Sequence, residues 1–299
     1  MNRQLPDPSI TLALGGGGAR GVAHLGVIEV LLETGLQLER LVGISIGSLV
    51  GAMFAFHQDI AEVQARSLSY LLSERFQRHQ RTLFGTISSE EADAGGLFSW
   101  YDRIKDYLRA NQLFHRVVTQ KSLLPSVILQ DVVDNLLPDA DIADAAIPLS
   151  IVAVDLRSGH RVVLEKGSVR QAVRASSSLP GIFPPVEFEG MQLCDVGVFC
   201  SLPTTVGVSY GTGTLLAVDV SSDLQPLNDC ETALDVLMRM DEIGESLFRK
   251  HVRNSADLVI RPKVSQVEWF DFSSAPQLID AGRVAARNAM AELGSRQCT

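Results

Sequence analysis

The 299-residue sequence is poor in several features that would announce a function. It has four cysteines, Cys194, Cys200, Cys230 and Cys298, with no CxxC pair and no zinc-like spacing. That excludes a disulfide framework and a cysteine-based metal centre, and it reads as reduced thiols in a cytoplasmic protein. Basic charge is scarce: 26 Lys and Arg stand against 35 Asp and Glu, a net charge of −9. Nucleic acid is therefore excluded as the main partner. Long apolar runs are missing as well. The longest charge-free apolar stretch, 41–56, is broken by Gly43, Gly47 and Gly51, too short for a membrane span. The opening residues, MNRQLPDPSI, lack the apolar region of a secretory signal. There is no internal repeat and no low-complexity linker.

What the chain does have is core material. Apolar residues make up 46% and charged residues 20%, so it folds rather than staying disordered. The first sixty residues read strand (10–14), helix (20–34), strand (38–43), helix (46–56). Gly35 is suited to cap the first helix. The second helix is apolar nearly all round and is expected to be buried. Short apolar strands alternating with helices predict a mostly parallel sheet covered on both faces. Further on, 150–154 and 162–164 flank a turn at Arg157-Ser158-Gly159 and predict a hairpin. Helices are expected over 169–177, 232–253 and 276–293, and central strands over 214–220 and 258–260. One domain over 1–299 is expected, with about 64–121 as an insert. That stretch holds nine Lys and Arg against six Asp and Glu, leaving 17 against 29 elsewhere.

Two glycine-bracketed turns carry the chemistry. Gly16-x-Gly18-x-x-Gly21 follows the first strand, and Gly43-x-Ser45-x-Gly47 follows the second. Read alone, the first suits a dinucleotide phosphate on a helix N-terminus. A dinucleotide site also needs an acidic residue at the end of the second strand, where Gly43-Ile44-Ser45 stands instead. Four consecutive glycines, Gly15 to Gly18, let successive backbone N–H groups converge on one anion. The second turn has the small neighbours two before and two after the serine that a nucleophile elbow requires. The plainer reading of Ser45 is an N-cap for the helix beginning at Ile46.

A serine nucleophile needs a base. Of the six histidines, only His251 follows Ser45 in the order of the usual triad, and it lies late in a long helix. Three aspartates end apolar runs, Asp155, Asp195 and Asp219, and spacing does not choose among them.

The blocks LALGGGGARGVAHLGVIEVL, VGISIGSLVGAMFA, VAVDLRSGHRVVLEKGSV, RASSSLPGIFPPV and CDVG, in this order, resemble the patatin-like phospholipase family. The resemblance is closest to short bacterial members related to neuropathy target esterase, and covers most of the chain outside 64–121. It implies a three-layer α/β/α sandwich with an inserted helical cap, acting on lipid or acyl esters without metal or cofactor. It implies Ser45 as nucleophile, Asp195 as general base, and Gly16, Gly17 and Gly18 as the oxyanion hole. Arg20, Gly21, Gly43, Gly47 and Gly197 take supporting places. The chain departs from the family pattern at Val196, where glycine is usual, and at Cys200, where many relatives have asparagine. Valine with positive φ would be an outlier, so position 196 is expected to keep ordinary geometry or to displace Asp195.

Lipid esters call for an apolar channel. The insert offers Leu97-Phe98-Ser99-Trp100-Tyr101, Leu113-Phe114 and the run Arg75, Arg78, Arg81. Basic and aromatic residues together predict peripheral contact with an anionic membrane. A solvated helix face is the alternative. The rival function is an acyl-sensing regulatory protein on the same fold with little or no catalysis. Oligomeric state is left open by the sequence.

Overall fold

The computed structural model describes residues 9–84, 121–122, 124–197, 199–211, 213–227 and 229–295. Its strands are β1 (Ser9–Leu14), β2 (Gln37–Ile44), β3 (Leu149–Asp155), β4 (Arg161–Leu164), β5 (Val186–Phe188), β6 (Met191–Cys194), β7 (Thr214–Val218) and β8 (Leu258–Ile260). The described helices are α1 (Ala23–Glu33), α2 (Ile46–His57), α3 (Ile60–Leu71), α4 (Glu74–Phe84), α5 (Val127–Leu136), α6 (Val169–Ser177), α7 (Thr204–Ser209), α8 (Ala233–Arg253) and α9 (Ala275–Ser295).

All eight strands form one sheet in the order β5-β6-β3-β2-β1-β7-β8, with β4 also on β3. The run β3-β2-β1-β7-β8 is parallel, while β4, β5 and β6 join antiparallel. The period-two alternation of buried strands divides two cores. Ile10, Leu12 and Leu14 of β1, Leu41 of β2 and Leu216 and Val218 of β7 face the larger core, shared with α1, α2, α3 and α9. Ala13, Leu215 and Ala217 face the opposite side with Leu202 and Val252, and Val42, Ile44 and Val152 share that side with Val196 and Val206. Helices thus cover both faces, and the layers are those of an α/β/α sandwich.

Helices α3 and α4, at the start of the stretch expected as an insert, carry residues of the larger core. Val63, Tyr70, Leu71 and Phe76 of α3 and α4 are buried in the larger core. Within the basic run, Arg75 forms an ion pair with the buried Asp131, and Arg78 Nε donates to the Glu74 carbonyl at 3.2 Å. Residues 97–101 and 113–114 lie outside the described residues, as does the side chain of Arg81. Among the described residues, no helix is long and apolar enough to cross a membrane.

Candidate active site

The topology brings the two glycine turns together. Adjacent parallel strands β1 and β2 pair Leu14 with Gly43, so the turns leaving their carboxyl ends are neighbours. A Cβ built on Gly16 would lie 3.4 Å from Ser45 Cβ.

The second turn is a strained strand-to-helix elbow. Ser45 has φ 53° and ψ −126°, one of the positive-φ non-glycine residues in the described chain. Such a conformation costs on the order of 1–3 kcal/mol and persists only when its surroundings enforce it. A Cβ on Gly47 would fall on the Leu14 carbonyl, and one on Gly43 would lie 2.5 Å from Ser48 Cα. Both positions therefore admit glycine alone. Ser45 occupies the N-cap position of α2, but its side chain makes no capping hydrogen bond. The N-cap reading of this serine is thereby set aside, and its hydroxyl is left for other work. The Ser45 N–H donates to Ser176 Oγ at 2.9 Å, and Ser176 Oγ donates to the Val152 carbonyl at 2.6 Å.

The first turn is held from a distance. The Gly15 N–H donates to the Val218 carbonyl, the Gly16 N–H to the Ser201 carbonyl at 2.8 Å, and the Ala19 N–H to the Trp269 carbonyl. The buried His24 donates from Nε2 to the Gly15 carbonyl at 2.8 Å. Burial lowers its pKa to about 4, so the ring is neutral at pH 7 and serves as a strut rather than a base. Because the Gly16 N–H is engaged, the donors open to an oxyanion are the N–H groups of Gly17 and Gly18. Neither has a hydrogen-bond partner among the described residues. Of the three glycine N–H groups expected from the sequence, that of Gly16 is thus already bonded within the fold. Arg20 is buried away from this anion cradle, donating from Nε to the Val267 carbonyl at 2.6 Å and from a terminal nitrogen to Ser222 Oγ at 2.9 Å. It ties the turn to later chain segments. Gly21 packs on Ile46, where a side chain would collide.

The three candidate aspartates separate cleanly. Asp155 turns back on its own hairpin, accepting from the N–H groups of Arg157, Ser158 and Gln192; the Ser158 hydroxyl first, and then these backbone donors, lower its pKa to about 2. Asp219 is buried in ion pairs with Arg253 and Arg249. Asp195, 1% exposed, follows β6 and has its N–H held by the Ser178 carbonyl at 2.9 Å. Its Oδ1 accepts from the Gly197 N–H at 2.6 Å, and Gly197 has to be glycine because a Cβ would sit 2.8 Å from that oxygen. Oδ2 is buried with no partner in strict hydrogen-bond geometry, yet the Ser45 hydroxyl is near enough to stabilise the charged form. Burial outweighs that help and raises the Asp195 pKa to about 6. His251 is exposed on α8.

Val196 resolves the departure from the expected motif. It is not among the residues with positive φ, so it keeps ordinary geometry. Its side chain is buried against Val42, Ile44, Val152, Cys200 and Val206. Cys200 is buried too, with Sγ 3.6 Å from the Leu202 carbonyl, and burial raises its pKa.

Ser45 opens into a cavity of about 140 Å³. Its walls include Leu25, Leu49, Met53, Val132, Phe183 and Phe272. Arg174 is the one charged residue among the described lining, hydrogen-bonded to Gln130 Oε1. Three consecutive serines, Ser176 to Ser178, serve this site without any motif in the sequence marking them. Ser176 holds the Ser45 N–H, Ser178 holds that of Asp195, and Ser177 lines the cavity.

The sequence profile of the family described as patatin-like phospholipase matches residues 12–207. The chain belongs to the patatin-like phospholipase family. Patatin-like relatives include an NTE family protein of Mycobacterium tuberculosis (strain CDC 1551 / Oshkosh), 26% identical over 97% of this chain and 48% of that protein. An NTE family protein of Mycobacterium bovis is 30% identical over 81% of this chain and 58% of its own length. The mouse patatin-like phospholipase domain-containing protein 6 is 29% identical over 90% of this chain and 17% of its own. The chain thus spans about half the length of the mycobacterial relatives and a smaller part of the mouse one. Among solved structures, VipD from Legionella pneumophila aligns with 96% of this patatin-like chain and 67% of its own, at 15% identity and a TM-score of 0.46.

Proposed function

We propose that this patatin-like chain is a serine acyl hydrolase that cleaves lipid or lysolipid esters with a Ser45–Asp195 dyad. The observation that carries the reading is the buried Asp195 beside the hydroxyl of a strained Ser45, at the end of an apolar cavity. Asp195 accepts the Ser45 proton as Oγ attacks the ester carbonyl. The Gly17 and Gly18 N–H groups hold the oxyanion, and the N-terminus of α2 adds favourable potential. Collapse of the intermediate expels the alcohol, which takes the proton back from Asp195. Water, deprotonated by the same carboxylate, then frees the acid from Ser45.

The apolar walls of the cavity support an acyl chain as the group bound beside Ser45. Arg174 supports an anionic or zwitterionic headgroup over a neutral one. Contact of the 64–121 region with a membrane is a lesser part of the proposal, with Arg75 already committed to Asp131. The single-domain reading of 1–299, with a cap contributed from 64–121, stands as a proposal in the same sense.

A fluorophosphonate probe tests the reading: the intact protein labels covalently and Ser45→Ala does not. Failure of the intact protein to label removes the hydrolase and favours the acyl-sensing alternative. Equal labelling of both proteins rejects Ser45 as the nucleophile.

A further inference from the structure

The cavity beside Ser45 has a measurable depth, because two helices run along it. Ser45, Leu49 and Met53, each four residues from the next, follow α2 down one wall. Ile128, Val132 and Leu136, with the same spacing, follow α5 down another. Each set advances about 12 Å along its helix. The near end is marked by Ile128, which packs with Phe183 and Trp269, and the Trp269 carbonyl holds the glycine turn through the Ala19 N–H. The far end is bridged by α3. Ser67 Oγ lies 3.7 Å from Met53 Sδ, and Arg66 donates to the Asn135 carbonyl at 2.7 Å.

That far end is shut. Met53 is 1% exposed, Leu136 2%, Ser67 3% and Leu71 6%, so these residues wall it off from solvent. The Ser67 hydroxyl donates to the Val63 carbonyl at 2.7 Å, so its proton is already spent. The four side chains offer no free donor to a polar chain end.

We propose that the cavity is a blind acyl pocket selecting straight, methyl-ended chains of about six to ten carbons, with Met53, Ser67 and Leu136 as its floor. This deepens the reading of Ser45 as the nucleophile of an acyl hydrolase and rests on it. An extended hydrocarbon advances about 1.25 Å per carbon, from bonds of about 1.5 Å meeting at about 111°. A depth of about 12 Å therefore admits about ten carbons at most. Volume sets the lower figure. A cavity of 140 Å³ is close in size to one that holds a single benzene ring, so about six carbons fill it with the walls at rest. The flexible Met53 side chain yields the remaining depth as a chain descends. A sixteen-carbon chain must leave part of its length at the mouth or displace a close-packed floor.

Hydrolysis of a series of p-nitrophenyl esters by the full chain tests the pocket. kcat/KM rises with chain length to a maximum near eight carbons and is lower by about 10-fold or more at sixteen. A profile that climbs through sixteen carbons, or stays level from four to sixteen, overturns the proposal. Met53→Ala, which lowers the floor, moves the maximum about three carbons longer, and Ser67→Leu, which raises it, moves the maximum shorter. Circular dichroism shows whether each variant is folded, and a folded variant whose maximum stays in place overturns the floor. A second readout needs no hydrolysis. Ser45→Ala, titrated with straight-chain carboxylic acids, gains about four-fold in affinity per added CH₂ up to about ten carbons and nothing beyond. Gains that continue to sixteen carbons, or no binding at any length, overturn the pocket. Binding with that limit, in a protein whose parent cleaves no ester, keeps the pocket and removes the hydrolase.

Discussion

The two glycine turns look alike in sequence but are built differently. The Gly43–Gly47 turn is shaped mainly by close sterics: glycines on either side leave room, Ser45 bears the strain in a positive-φ conformation, and a single acceptor from 131 residues along the chain, Ser176, holds its N–H. The Gly15–Gly18 turn is enforced remotely. Its anchors are Ser201, Val218 and Trp269, about 185 to 250 residues away in sequence, together with His24 on the next helix. A nucleophile needs one fixed atom, which close sterics and one outside acceptor can supply. An oxyanion site needs two N–H groups left unsatisfied, so every other donor near them must be satisfied from outside.

The largest effect that sharpens this contrast comes from Asp195, which the local turn cannot supply. Asp195→Asn is expected to lower kcat by about 10²–10⁴ as the general base is lost. In the unaltered protein, kcat/KM should rise with pH through about 6 and level off above it, because the base works ionised. A pH profile flat between 5 and 8 would remove Asp195 from that role. The stability effect has the opposite sign. The folded pKa lies above the ordinary value of 3.8, so the folded state holds the proton more tightly, and stability falls as pH rises from about 4 through about 6. Thermal unfolding at pH 8 should therefore show Asp195→Asn more stable than the parent by on the order of 2–3 kcal/mol, with little difference at pH 4.

Val196→Gly comes next, as a test of whether the unusual residue limits the site. Its side chain is buried, so the change should cost roughly 2–4 kcal/mol of stability by chemical denaturation. Since Val196 already has ordinary geometry, kcat should not rise. A substantial gain in kcat would show that valine strains the dyad.

Smallest are the struts, where the two turns part most clearly. Ser176→Ala strips the acceptor from Ser45 N–H and should cost about 1–3 kcal/mol. It should also lower kcat about 10-fold, with KM little changed, because it loosens the nucleophile. His24→Gln, which can keep a donor to Gly15, should cost stability through poorer packing yet leave the fluorophosphonate labelling rate within about 3-fold. Equal kinetic losses in the two variants would end the distinction between support of the Ser45 turn and support of the Gly15–Gly18 turn.

Much of the fold could be read along the chain because its signals are local. Alternating strands and helices, Gly35 as a helix stop, the 169–177 helix and the elbow glycines all express backbone geometry within a few residues. The β5–β6 hairpin escaped notice because its turn, Glu189-Gly190, has positive φ at both residues without the usual Asn-Gly or Asp-Gly signal. Helix α5 also went unmarked between the insert and β3.

Sequence by itself determined that Ser45 sits in a tight elbow and that glycines surround it, since both follow from steric limits on neighbouring residues. It also limited the carboxylate partner to three aspartates that end apolar runs. Only the tertiary structure separated them, because burial and facing partners are properties of segments that meet after folding. Asp155 is consumed by its own hairpin, Asp219 by arginines of α8, and Asp195 is left beside Ser45. The same holds for the oxyanion donors. Four glycines in a row are visible in the sequence, but which N–H groups remain free depends on where Ser201 and Val218 arrive.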